Sequence, residues 1–143
     1  MKLSDKDREL LEVLRENARM PIATIANRLS LSRTTVQSRL ERLEKNGVIA
    51  GYSVRLSDEY SSGLVRAHIL ITIAPKSLSQ VTSALDRMKA VTDLHSVSGT
   101  FDLIAIIASP SISELDQVID DIGSIDGVDR TLSSIVLSTR IAR

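Results

Sequence analysis

The apolar residues of this chain change their period part-way along it, and no single regular element satisfies both halves. Leu10, Leu11, Ile22, Ile25, Leu29, Val36, Leu40 and Leu43 fall at the three- and four-residue spacing of helices buried on one side. Further on, Val65, Ala67, Ile69, Ile71 and Ile73 alternate, as a strand with one buried face requires. A length of 143 residues allows one medium domain or two small ones. The change of period favours a helical N-terminal part and a mixed C-terminal part, an α+β chain.

Local signals divide the first part into three helices. Ser4 and Asp7 stand three apart, so the hydroxyl can accept from the first turn while the carboxylate answers back, and a helix is expected from about Asp5 to Asn17. Pro21 sits where a helix can begin without losing a needed donor, ahead of Ile22, Ile25, Ala26 and Leu29. Ser30-Leu31-Ser32 interrupts, and a longer helix capped by Ser32 carries Val36, Leu40 and Leu43 as far as Asn46-Gly47. This defines an N-terminal domain over 1–47. Val48 to Leu56 reads as a strand and Ser57 to Gly63, with Asp58, Ser61 and Ser62, as a polar linker, so 48–63 forms a linker strand and hinge.

The remaining 64–143 reads as a second domain. Pro75 ends the first alternating strand, and two capping boxes, Ser77 with Gln80 and Ser111 with Glu114, open helices carrying Leu78, Val81, Leu85, Met88 and Ile112, Leu115, Val118, Ile119, Ile122. Val91–Ser98 and Phe101–Ala108 are expected as a hairpin across a two-residue Gly99-Thr100 turn, and Val128–Thr139 as a last strand. The order is βαββαβ, the ferredoxin-like arrangement. The run from Phe101 to Ile107 has almost no polar side, and two helices cover only one face of a sheet. A second copy of the same sheet is the simplest cover for the other face; the N-terminal domain is the alternative.

Composition narrows the function. With 43% hydrophobic and 25% charged residues the chain is an ordinary globular protein, and without cysteine it has no disulfide or thiolate metal site. No apolar run approaches the roughly 20 residues a membrane helix needs, which places the protein in the cytoplasm. Residues 1–56 hold 11 Lys and Arg against 7 Asp and Glu, and the rest reverse those figures, so a net charge of zero conceals a basic half and an acidic half. Basic residues bind nucleic acid by releasing phosphate counterions. His68 and His95 are the only imidazoles, and neither a G-x-S-x-G elbow nor a phosphate-cradling glycine loop is present, so catalysis, metals and cofactors are not expected.

Two helices joined by a tight turn, the second longer and polar outward, match the helix-turn-helix that lays a recognition helix in the major groove of double-stranded DNA. Thr34, Gln37, Ser38 and Glu41 fall opposite Val36, Leu40 and Leu43, with Arg33 and Thr35 at the helix start. Arg33, Gln37 and Ser38 are candidate base readers, and Arg39, Arg42 and Lys45 candidate phosphate contacts. A merely solvated polar face remains the competing reading, as does an interaction module that no longer binds DNA.

The chain resembles the Lrp/AsnC, or feast/famine, transcriptional regulators over essentially its whole length. The carrying residues are Leu3-Ser4-Asp5 with Asp7 and Leu10-Leu11, Asn17-Ala18-Arg19, Leu31 to Val36, Leu43 to Tyr52, and Ser98-Gly99-Thr100-Phe101-Asp102. The resemblance implies a winged-helix-like or simple helix-turn-helix domain and a ferredoxin-like effector and dimerisation domain. It further implies homodimers that assemble to octamers, and a small metabolite effector, commonly an amino acid. It places the effector near Gly99, Thr100, Phe101 and Asp102, with Ser134, Ile135 and Val136 of the last strand. Where amino-acid-binding relatives often carry a Thr-Tyr-Val-Val run, this chain has Ser133-Ser134-Ile135-Val136. An acid at Asp102 can hold a ligand ammonium; capping of the hairpin or pairing with an arginine is the alternative. Tetrapyrrole decarboxylases share a similar two-part architecture and represent the enzymatic alternative.

Overall fold

The computed structural model describes residues 1–143 except Ser62 and the side chains of Asp58 and Ser61, so that part of the expected polar linker lies outside the described residues. The chain divides into two compact units, Met1–Arg55 and Leu56–Arg143.

The first unit contains α1 (Asp5–Glu16), α2 (Ile22–Leu29) and α3 (Arg33–Lys45). Ser4 and Asp7 form the reciprocal capping box of α1, and Ser32 caps α3 by accepting from the Thr35 amide. Between α2 and α3 the chain turns through Ser30, whose left-handed φ of 55° closes α2. Each expected stripe reaches the centre: Leu10 from α1, Ile25 from α2, and Val36 and Leu43 from α3 are fully buried.

The second unit comprises α4 (Asp58–Ser61), β1 (Val65–Ile73), α5 (Leu78–Asp86), β2 (Val91–Ser96), β3 (Leu103–Ser109), α6 (Ile112–Gly123) and β4 (Val128–Ile135). The strands form one antiparallel sheet in the order β2-β3-β1-β4, which is the ferredoxin-like topology. Ala67, Ile69 and Ile71 of β1 and Leu103, Ala105 and Ile107 of β3 face α5 and α6, where Val81, Leu85, Leu115 and Ile122 complete the core. The opposite face carries Ile104 and Ile106 of β3, Leu70 of β1 and Leu132 of β4, the last 55% exposed. No element of this unit's helical layer covers it.

Several local expectations are corrected. Val48–Leu56 is not a strand: a strand needs a neighbour to complete its backbone bonds, and none of the described residues supplies one. The segment is instead tied back to α3, by Ile49 N–H donating to the Leu43 carbonyl and the Tyr52 hydroxyl to Glu44 at 2.8 Å. The polar linker contains the short α4. Ser77 does not cap α5, because its φ of −99° and ψ of 3° are not the extended conformation a capping hydroxyl needs; Gln80 donates to Asp126 instead. The hairpin connection is longer than two residues. Pairing stops at Ser96–Leu103, and the loop closes through Val97 N–H donating to the Asp102 carbonyl, with Gly99 at a φ of 101°. Phe101 therefore belongs to the loop and not to β3. The last strand stops at Ile135 rather than Thr139: beyond it the Val136 amide still donates to the Arg66 carbonyl at 2.8 Å, but β1 itself begins at Val65, so the ladder runs out there.

Candidate nucleic-acid interface and effector loop

The buried stripe of α3 fixes which of its residues face outward. With Val36 and Leu43 in the core, Arg33, Thr34, Gln37, Ser38 and Glu41 stand exposed along one side, where together with Ile22 they border a shallow hollow. Gln37 donates to Glu41 at 3.0 Å, a bond it must give up before it can pair with a base. Arg33 and Lys45 have no ion-pair partner among the described residues. Thr35 is half-buried and shares a 2.7 Å hydrogen bond with the Ser32 hydroxyl, so it serves the helix cap.

Arg39 and Arg42 are placed differently from an open phosphate-contacting pair. Both reach the Asp7 carboxylate of α1, Arg39 at 3.0 Å and Arg42 at 2.6 Å, and Arg39 also donates to the Ser4 hydroxyl. The Asp7 side chain is 1% exposed, that of Arg39 27% and that of Arg42 47%. Burial alone would raise the Asp7 pKa, but the Ser4 amide and hydroxyl, the Arg39 hydrogen bond and the Arg42 charge outweigh it and hold the carboxyl at about 2. It is ionised whenever the protein is near neutrality. In the sequence Asp7 is visible only as half of a capping box; its partners lie 32 and 35 residues away, with no local signal linking them.

In the second unit, Asp102 precedes β3. Its amide donates to the Ile71 carbonyl, and its Oδ2 accepts from the Ile73 amide at 2.9 Å, standing in for the carbonyl the next ladder position would supply. The carboxylate thus terminates the β1 edge. Ser98, Gly99 and Thr100 are exposed, and Phe101 is half-buried with the Arg130 guanidinium 5.4 Å from its ring centroid. Arg130 was not among the residues expected here, and nothing in its sequence neighbourhood distinguishes it. Ser134, Ile135 and Val136 lie elsewhere: Ser134 is opposite His68 and Ile135 opposite Ala67, whereas the loop adjoins Ile71. Four residues of strand, about 13 Å, separate the two groups within one chain. His68 and His95 pair with Ile106 and Ile104 on the exposed sheet face, and among the described residues no three His, Asp or Glu converge on a metal position. No helix of the described residues is long and apolar enough to cross a membrane.

Two family models match. Residues 3–50 fit a winged helix-turn-helix DNA-binding domain and residues 66–143 the Lrp/AsnC ligand binding domain. The chain is 31% identical to the HTH-type transcriptional regulator LysM of Sulfurisphaera tokodaii, over 94% of this chain and 95% of that one. It is 30% identical to LrpA of Pyrococcus horikoshii, over 94% and 96%. Among solved structures, E. coli AsnC superposes with a TM-score of 0.91 at 28% identity, covering 100% of this chain and 97% of that one. A transcriptional regulator of Neisseria meningitidis solved as an L-Met complex superposes with a TM-score of 0.89 at 25% identity, covering 99% and 94%.

Proposed function

Since the chain belongs to the Lrp/AsnC family of transcriptional regulators, we propose that it reads duplex DNA through the exposed side of α3, as a homodimer able to assemble further towards an octamer. In this reading it is a cytoplasmic regulator with no catalytic chemistry of its own. The observation that carries it is the outward row Arg33, Thr34, Gln37, Ser38 and Glu41, held clear of the core by the burial of Val36 and Leu43. A guanidinium and a carboxamide at the start of such a helix can bond guanine and adenine edges bidentately, which is direct readout. A dimer presents two copies of the helix to two half-sites, so operators should be pseudo-palindromic.

The test begins by selecting bound duplexes from a random pool. Replacing Gln37 by alanine is expected to cost roughly 1 to 3 kcal/mol on the selected operator and nothing on unselected DNA. Equal loss on both would remove Gln37 from base readout.

A small amino acid or similar metabolite is the proposed effector, in line with the L-Met bound to the Neisseria relative. The support here is the loop Gly99-Thr100-Phe101-Asp102, with Gly99 and Thr100 exposed, a carboxylate using only Oδ2 among the described residues, and Arg130 over the Phe101 ring. Asp102 would hold the ligand ammonium, and Arg130 or loop amides its carboxylate. Ser134, Ile135 and Val136 join this site only if a neighbouring protomer brings them. Screening the twenty amino acids by thermal shift should find one that stabilises the wild type and not Asp102→Ala. Equal stabilisation of both rules out Asp102 as a ligand; no stabilisation of the wild type sinks the amino-acid effector.

A further inference from the structure

The cluster of Asp7, Arg39 and Arg42 borders a concavity that the helix-turn-helix geometry does not by itself require. About 400 Å³ in volume, it is lined by Thr34, Thr35, Ser38, Arg39 and Arg42. These residues form two adjacent rows on α3, Thr34-Ser38-Arg42 and Thr35-Arg39-Arg42, joined at the second arginine. Hydroxyls and guanidiniums make this a lining for an anionic oxygen acceptor. Neither Asp7 nor Ser4 is part of it, although Asp7 holds both of its arginines and Ser4 holds Arg39.

Two arginines against one aspartate leave one positive charge unmatched at the site. Among the described residues only one terminal nitrogen of each guanidinium is engaged, and the Arg39 Nε is closed off from solvent without a hydrogen-bond partner. We propose that Asp7 is a positioning residue that holds Arg39 and Arg42 as a preformed clamp for one backbone phosphate of duplex DNA, received between them and the hydroxyls of Thr34 and Ser38. This deepens the DNA-binding reading above and rests on it. A long arginine side chain loses rotamer freedom when it grips a phosphate, and one already pinned by a buried carboxylate loses less.

The clamp makes Asp7 behave unlike a residue that merely stabilises the fold or competes with DNA. Binding of a labelled random-sequence duplex pool is measured by anisotropy across a salt series, at a temperature where circular dichroism shows each variant folded. Asp7→Asn should lose about tenfold in affinity, from lost preorganisation, with the slope of log K against log salt unchanged. Arg42→Ala should flatten that slope by about 0.9, the signature of one lost phosphate contact. If Asp7→Asn binds as tightly as the wild type, or more tightly, Asp7 does not position the arginines and the proposal is overturned. Should Asp7→Asn fail to fold, Arg42→Lys carries the test, because it keeps the charge but loses the planar fork that Asp7 holds. Weaker binding at unchanged slope is then expected, and wild-type affinity overturns the clamp. If the wild type shows no salt-dependent binding at all, it is the DNA-binding reading that fails, and the clamp with it.

Discussion

Substituting aspartate for Ile106 should convert the proposed dimer or larger assembly into a single chain in sedimentation or light scattering, with the second unit still folded. Ile106 lies on the sheet face away from α5 and α6, opposite His68 on β1 and Asp93 on β2. It shares that face with Ile104, Leu70 and Leu132. A carboxylate there meets water in an isolated chain and costs the fold little. Packed against the same face of a second copy, it would be desolvated, and a two-fold interface would bury it twice, beside Asp93 on β2 and with His68 on β1 able to offset only part of the cost. Several kcal/mol per buried unpaired charge exceeds what an ordinary interface of about 800 Å² per partner can spare. Loss of the dimer should also weaken operator binding, since one recognition helix then has no tethered second. A wild type that is monomeric at micromolar concentration would refute the homodimer; a variant that remains dimeric would move the interface to another face.

The second large effect concerns Gly127, in the turn between α6 and β4. Its φ of 99° lies in a region that residues with a side chain rarely adopt. A Cβ added there would come within 2.8 Å of the Ser77 Cβ and 3.1 Å of a Val81 methyl group. Those neighbours cannot give way cheaply, because Val81 is fully buried in the core and the Gly127 carbonyl accepts from the Ala74 amide at 2.8 Å. Backbone strain and overpacking each cost about 1 to 3 kcal/mol. Gly127→Ala should therefore destabilise the second unit by roughly 3 kcal/mol or more, read as a lower urea midpoint at unchanged m-value. Gly99→Ala serves as the comparison: its φ is also positive, but nothing lies within 4 Å of the added carbon, so only the strain remains. If the two variants are equally stable, the close approach to Ser77 carries no energy.

The features legible in the sequence are those that act within about four residues. The caps of α1 and α3 and the Ser111 cap of α6, whose hydroxyl accepts from the Glu114 amide, involve residues three apart. The period of the apolar residues named the core of each unit, down to Leu10, Ile25 and Val36 in the first and Ile69, Leu115 and Ile122 in the second. The outward side of α3 followed from the same geometry, because the buried stripe of a helix dictates its exposed one. Tertiary structure decided everything that needed a distant partner. Val48–Leu56 has the composition of a strand but no edge to pair with among the described residues. Ser77 has the sequence of a cap, yet close contact with Gly127 accompanies a backbone that cannot use it. Asp102, read as an acid interrupting a strand, supplies the bond that ends β1, and Arg130 reaches Phe101 across 29 residues of chain. Arg39 and Arg42 looked like free cations until the fold brought Asp7 to them. A buried carboxylate is tolerated only where opposite charges and donors converge on it, and that convergence depends on how α1 packs against α3 rather than on any local run of residues.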